Sequence, residues 1–362
     1  MQTSAIEEAL MDLPPSSKFV YKTLSREGSM TLKQITEETL LSPRTARYGL
    51  TQLEDNQLIE SAPALHDGRQ TCYSISHRSI GDDRTGYPEQ VLVKPDSAQK
   101  RLETFEADDP DLRLVEVSAE YDEGHIPGAV ELDPRADFFD AGTRTIPGAD
   151  RLEKILGERG ITPDSTVVLY SDGYNEFAAF VYWTLKYYRH RDVRLLNGGK
   201  YYWTENHYPT SESTPAVTPV EYETQPPNDH IRAYRQDVQS ALSEDVSIID
   251  VRSPEEYCGE ADANARASGH IPRTVNIEWD SVVRECGRFE HRQAVERPFA
   301  DVGITEDDDI LVYCNVGERS ALVWFALSEL LGYPNVANYD GSWTEWGNLV
   351  DVPIETCDSS DQ

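Results

Sequence analysis

The chain contains the same pattern twice. Leu114-Val115-Glu116-Val117 is answered by Ile248-Ile249-Asp250-Val251, and Gly124-His125-Ile126-Pro127 by Gly269-His270-Ile271-Pro272. Val167-Val168-Leu169-Tyr170-Ser171 is answered by Ile310-Leu311-Val312-Tyr313-Cys314, and Asn197-Gly198 with Trp203 by Asp340-Gly341 with Trp346. Ser171 stands 27 positions before Gly198, and Cys314 stands 27 positions before Gly341. Four landmarks in the same order at near-constant spacing mark a tandem duplication. Each copy alternates short apolar runs with helical stretches, so the expected fold class is α/β, with two parallel-sheet domains. We place the first copy at residues 91–208 and the second at 229–356, joined by a Pro/Ser/Thr/Glu-rich linker at 209–228.

Residues 1–80 read differently. A helix is expected over 15–27, with Phe19, Val20 and Leu24 on its apolar face. Thr31 caps a second helix that carries Leu32, Ile35 and Leu40. Ser42-Pro43 opens a third, with serine as N-cap and proline at its first position, and Ala46, Leu50 and Leu53 as its inner stripe. A strand near Leu58-Ile59, a turn at His66-Asp67-Gly68-Arg69 and a strand at Thr71-Cys72-Tyr73-Ser74-Ile75 follow. This order resembles the winged helix-turn-helix of prokaryotic regulators, a small α+β domain. The resemblance implies that Arg44, Thr45, Arg47 and Tyr48 face the major groove and that Arg69 reaches a phosphate or the minor groove. Paired half-sites would make the chain a homodimer. A winged helix that binds protein, or only packs, is the alternative.

Charge separates the same segments. The 362 residues hold 33 basic and 65 acidic side chains, a net of −32 that repels membranes and nucleic acid in general. Residues 1–80 hold 8 basic and 10 acidic groups, so the rest of the chain carries nearly all the excess. A DNA-facing module needs that relief. Strong acidity with 8 Lys against 25 Arg resembles proteins of salt-loving organisms, although an ordinary acidic protein has the same signature. No run of 18 apolar residues exists and the N-terminus lacks a secretory pattern, so a cytoplasmic chain without a membrane partner is expected. Cys72, Cys258, Cys286, Cys314 and Cys357 are scattered without a CxxC pair, so we expect neither a metal site nor a disulfide framework.

One of those cysteines has a distinctive setting. Ile310-Leu311-Val312-Tyr313 runs into Cys314-Asn315-Val316-Gly317-Glu318-Arg319-Ser320 and then into an apolar helix. A cysteine at the C-terminal edge of a parallel strand sits where α/β sheets bind ligands. Loop and helix amides form an anion cradle there, which favours thiolate and predicts a depressed pKa. Gly317 allows the curvature, and Arg319 adds a cation at the rim.

The Cys-x-x-Gly-x-Arg-Ser loop, Asp250-Val251-Arg252, the Gly-His-Ile-Pro element and Tyr339-Asp340-Gly341-Ser342-Trp343 resemble the tandem rhodanese sulfurtransferases over about residues 91–356. The resemblance implies no cofactor, with thiosulfate and a thiophilic acceptor as partners. Cys314 would become a persulfide, with Asn315, Val316, Gly317, Glu318, Arg319, Ser320 and Arg252 binding substrate. Ser171 in place of the cysteine implies a first copy without catalysis. Several thiosulfate-using relatives carry a lysine in the loop, whereas no lysine follows Lys200 here. Thiosulfate and 3-mercaptopyruvate therefore stay open as donors, as does a sulfur-responsive DNA-binding regulator. Phosphatases of related fold need Cys-x5-Arg. Four residues separate Cys314 from Arg319, a ring too small for phosphate. His125 and His270 recur in both copies although only one has the thiol, so we read both as structural.

Overall fold

The computed structural model describes residues 10, 13–56, 58–63, 71–75, 87–88, 90–138, 146–261, 265–284 and 286–357. The chain divides into two compact units, Met1–Tyr87 with Val282–Arg297, and Pro88–Ser281 with Pro298–Gln362.

The first unit contains α1 (Pro15–Glu27), β1 (Met30–Thr31), α2 (Leu32–Thr39), α3 (Pro43–Asp55), β2 (Ile59–Pro63) and β3 (Thr71–Ile75). Its strands form an antiparallel sheet in the order β1-β3-β2. Thr31 caps α2 through a reciprocal box with Gln34, and Ser42 caps α3 with Pro43 behind it. Val20, Leu24, Ile35, Ala46, Leu50 and Leu53 close the core. Two apolar residues do not join it. Phe19 is 46% exposed, and Leu40 is 90% exposed because α2 ends at Thr39 and Leu40 turns left-handed at its C-cap. Residues 282–297 lie within the stretch read as the second copy, yet pack in this unit. The Ser29 amide donates to Glu290 Oε1 at 2.8 Å, and the Tyr87 hydroxyl to the Glu290 carbonyl at 2.9 Å.

The second unit holds the duplication. The first copy is a five-stranded parallel sheet of β4 (Leu92–Val93), β5 (Leu112–Val117), β6 (Val130–Leu132), β7 (Thr166–Ser171) and β8 (Asp192–Leu196), in the order β4-β8-β7-β5-β6. The second is a four-stranded parallel sheet of β9 (Ser247–Asp250), β10 (Thr274–Asn276), β11 (Ile310–Tyr313) and β12 (Val336–Asn338), in the order β10-β9-β11-β12. Matched side chains do matched work. Trp203 and Trp346 are both fully buried, and their ring N–H groups donate to the Pro209 and Pro353 carbonyls. His125 and His270 stack on Tyr121 and Tyr257 at 4.0 and 3.7 Å, each with Nδ1 against that tyrosine's carbonyl.

Cys258 and Cys357, 99 positions apart, form a disulfide. This corrects the expectation of isolated thiols. The His270–Glu355 bridge lays the C-terminal strand segment back over the second copy, and spacing along the chain does not register that return. Cys72, Cys286 and Cys314 are buried and form no disulfide.

Candidate active site

The equivalent strands β7 and β11 each lead into a loop and then a helix, α4 (Glu176–Tyr187) in the first copy and α6 (Glu318–Phe325) in the second. The two helices pack on one another. Residues 178–185 of α4 are all buried, because one side faces its own sheet and the other faces α6. Tyr182 meets Phe325 edge-on at 4.8 Å, and Tyr174 meets Trp279 at 5.0 Å.

Cys314 is fully buried at the C-terminal end of β11. Its amide donates to Ser342 Oγ at 3.1 Å, and its carbonyl accepts from the Trp343 amide at 3.0 Å, which pins the loop to α7 (Ser342–Trp346). Its sulfur accepts from the Gly317 amide at 3.1 Å, and Ser320 Oγ lies 3.5 Å from it. Ser320 in turn donates to Asn338 Oδ1 at 2.7 Å, so β12 orients the hydroxyl. Gly317 has φ +101°, and a Cβ there would lie 3.1 Å from Asp340 and 3.2 Å from the Phe180 ring of the first copy. Only glycine suits that conformation in that space.

The cradle expected from the sequence is therefore present, but its effect on the resting thiol is not the expected one. Burial pushes the Cys314 thiol up, and the Glu318 carboxylate adds to the rise. Arg319 and Ser320 pull it down without cancelling the loss of water. Burial therefore favours the thiol over the thiolate in this pocket.

The loop residues lie together. Asn315, Val316, Glu318 and Arg319 are half-buried, while Gly317 and Ser320 are buried. Arg319 makes a two-pronged ion pair with Glu256 on α5 (Pro254–Cys258), at 2.7 and 3.1 Å. Burial pushes the Glu256 carboxyl up, but Arg319 outweighs it and holds the group below the usual carboxylate range. Sequence reasoning missed Glu256, although Ser253-Pro254-Glu255-Glu256 carries a capping-box signal and the structure forms that box. It also missed Asn338 and Ser342, which hold the loop from behind.

Arg252 is placed differently. It has no exposed surface, pairs with Asp250 at 2.6 Å, donates to the Gly269 carbonyl at 2.7 Å and lies over the Trp343 ring at 4.5 Å. The structure uses this guanidinium to fix the end of β9 rather than to line the rim.

In the first copy Asn175 ties the loop to the sheet. Its Oδ1 accepts from the Ser171 amide at 2.8 Å, and its Nδ2 donates to the Leu196 carbonyl at 2.7 Å. Ser171 Oγ points to the Asp172 carbonyl and accepts from the Ala178 amide, both at 3.3 Å. Lys200 replaces the buried arginine, pairing with Glu116 at 2.7 Å.

Arg44, Arg47 and Tyr48 are exposed on α3, with Thr45 partly covered and bonded to Ser42. Arg69 and its turn lie outside the described residues. Among the described residues no cluster of His, Cys, Asp or Glu could hold a metal ion, and no helix is long and apolar enough to cross a membrane.

Two parallel α/β copies, one ending an inner strand in a cysteine cradle and the other in a serine, define a tandem rhodanese-like protein. The family model described as "Rhodanese-like domain" matches residues 94–206 and 235–349, and the chain belongs to the rhodanese family. It is 46% identical over 278 residues to a putative thiosulfate sulfurtransferase of Haloferax volcanii, covering 74% of this chain and 97% of that protein. It is 43% identical over 279 residues to the sulfur carrier protein TtuD of Thermus thermophilus, covering 73% and 96%. Among solved structures it is similar to a persulfide form of EanB in a tetrahedral intermediate state with ergothioneine. The TM-score is 0.67 and the identity 27%, over 74% of this chain and 70% of that one.

Proposed function

We propose that the chain is a sulfurtransferase that moves the outer sulfur of thiosulfate to cyanide or a thiol through a persulfide on Cys314. The observation that carries this reading is the Cys314 sulfur held 3.1 Å from the Gly317 amide at the head of α6. The names of the curated relatives support the donor. Cys314 thiolate attacks the outer sulfur of thiosulfate, a new S–S bond forms, and the old one breaks with its electron pair leaving on sulfite. The loop amides stabilise the anionic outer sulfur as charge moves onto it. Attack by the acceptor then releases Cys314 thiolate. Arg319 offers the rim cation for the sulfonate end, whereas Arg252 serves by holding the strand end that frames the loop. Thiosulfate-dependent thiocyanate formation, with 3-mercaptopyruvate and a phosphate ester assayed beside it, tests the reading. Turnover with thiosulfate that Cys314→Ala abolishes is the expected result.

A second function is proposed for the N-terminal segment, as a DNA-binding winged helix that could make the chain a sulfur-responsive regulator. The exposed Arg44, Arg47 and Tyr48 on α3 favour it, with the near-neutral charge of residues 1–80. Gel shifts at stated ionic strength with DNA from the protein's own upstream region, before and after thiosulfate, test it. No retardation in either state would end it.

A further inference from the structure

Persulfide chemistry needs a thiolate, whereas the burial of Cys314 favours its thiol, and the proton then needs an acceptor. Among the described residues the Gly317 and Ser320 amides donate to the sulfur and the Ser320 hydroxyl lies 3.5 Å away, and none of these can take a proton. The remaining group is Glu318 Oε2, to which the thiol donates at 3.9 Å, within hydrogen-bond reach for sulfur. Neither His125 nor His270 serves, since both rings stack on tyrosines with Nδ1 against a carbonyl.

We propose that Glu318 is the proton acceptor of Cys314 and, once protonated, returns its O–H as a hydrogen bond to the sulfur anion. The proposal rests on the sulfurtransferase reading and adds a catalytic residue to it. The step balances. The Cys314 S–H bond breaks and a Glu318 O–H bond forms, so one negative charge moves from carboxylate to sulfur. The thiolate then attacks thiosulfate, sulfite leaves with the electron pair of the broken bond, and the pocket keeps one charge, now on the persulfide.

The surroundings favour that transfer over loss of a proton to water. Among the described residues the charged groups facing the pair are Arg319 on α6, Glu256 on α5, and Glu176 in the first turn of α4, whose carboxyl accepts from the Tyr174 amide at 3.0 Å. Arg319 is held by Glu256, which leaves Glu318 as the carboxyl at the sulfur. Burial pushes both the Cys314 thiol and the Glu318 carboxyl up. Releasing a proton outward would put a second charge into this enclosed space, whereas passing it across keeps the total at one. A neutral Glu318 also removes a carboxylate from the path of a dianionic donor.

The test is the rate of Cys314 alkylation by iodoacetamide against pH, read by peptide mass, in the wild-type chain and in Glu318→Gln. The wild type is expected to rise in two steps, because the pair titrates as a unit. Glu318→Gln is expected to show one step at higher pH and to react about tenfold more slowly near pH 7. Glu318→Asp should partly restore the lower step. If Glu318 were only a nearby charge, Glu318→Gln would react faster than wild type near pH 7, and a single wild-type step would equally overturn the proposal without any variant. Intact mass after thiosulfate separates this from the parent reading. A wild-type chain that never gains sulfur defeats the sulfurtransferase assignment. Equal sulfur uptake at all pH values by wild type and Glu318→Gln defeats the proton acceptor alone.

Discussion

Arg319 grips Glu256 through both arms of its guanidinium, at 2.7 and 3.1 Å, and so stands as a fixed cation beside the cysteine loop. A lysine cannot reproduce that fork. Arg319 is among the groups that lower the Cys314 pKa, so its loss raises the thiol further. Arg319→Lys should move the alkylation profile of Cys314 to higher pH, with neutral-pH reactivity down by up to about tenfold, one pKa unit. An unchanged profile would remove Arg319 from the electrostatics of the site.

Gly317 brings backbone shape and chemistry to one atom, since the amide that faces the sulfur belongs to a residue at φ +101°. Gly317→Ala should cost about 1–3 kcal/mol in denaturant unfolding. Sulfur transfer should fall more than stability, because the shifted amide no longer faces Cys314.

The Asp250–Arg252 pair has no exposed surface on either side chain. Removing one partner strands the other charge in the core. Asp250→Ala should therefore destabilise the chain by about 3–5 kcal/mol. Urea unfolding reads this directly, and a change below about 1 kcal/mol, the level of an exposed pair, would contradict the assignment.

Ser171 should be dispensable, and Ser171→Ala should leave turnover nearly unchanged. Ser171→Cys is the sharper variant. The side chain at 171 meets the Asp172 carbonyl and the Ala178 amide, both at 3.3 Å, where Cys314 has the Gly317 amide at 3.1 Å, so the new thiol should gain no sulfur from thiosulfate. Peptide mapping of the treated variant checks this.

His190 is buried between the Tyr222 hydroxyl at 2.8 Å and the Ser165 carbonyl at 2.9 Å, where it ties residues 209–228 to the first copy. Burial holds its pKa below the ordinary 6.5. The unfolded chain therefore binds a proton that the folded chain refuses, and stability is full above 6.5 and lost as pH falls through the lower folded value. Melting temperature should drop over that window, and less steeply in His190→Gln.

The duplication was legible because its strands, glycines and tryptophans recur at fixed spacing, and the structure gives the equivalents Trp203 and Trp346 the same bond. The caps at Thr31 and Ser42 were legible because capping is a local effect of neighbouring residues. The cysteine loop was legible for the same reason. What escaped depends on chain segments meeting in space. Glu256 comes from a different helix, Phe180 from the other copy, and Cys357 from the returning C-terminal segment. The upward shift of the thiol escaped because spacing reports the donors around a sulfur but not how completely water is removed from it. Leu40 shows the converse error, an apolar residue in helical register that lies one position beyond the helix end.

The most direct test is the intact mass of the chain after exposure to thiosulfate, followed by peptide mapping. The account predicts a gain of one sulfur atom on Cys314, removed by cyanide and absent in Cys314→Ser. No gain, or a sulfur found on Cys72 or Cys286 instead, would contradict it.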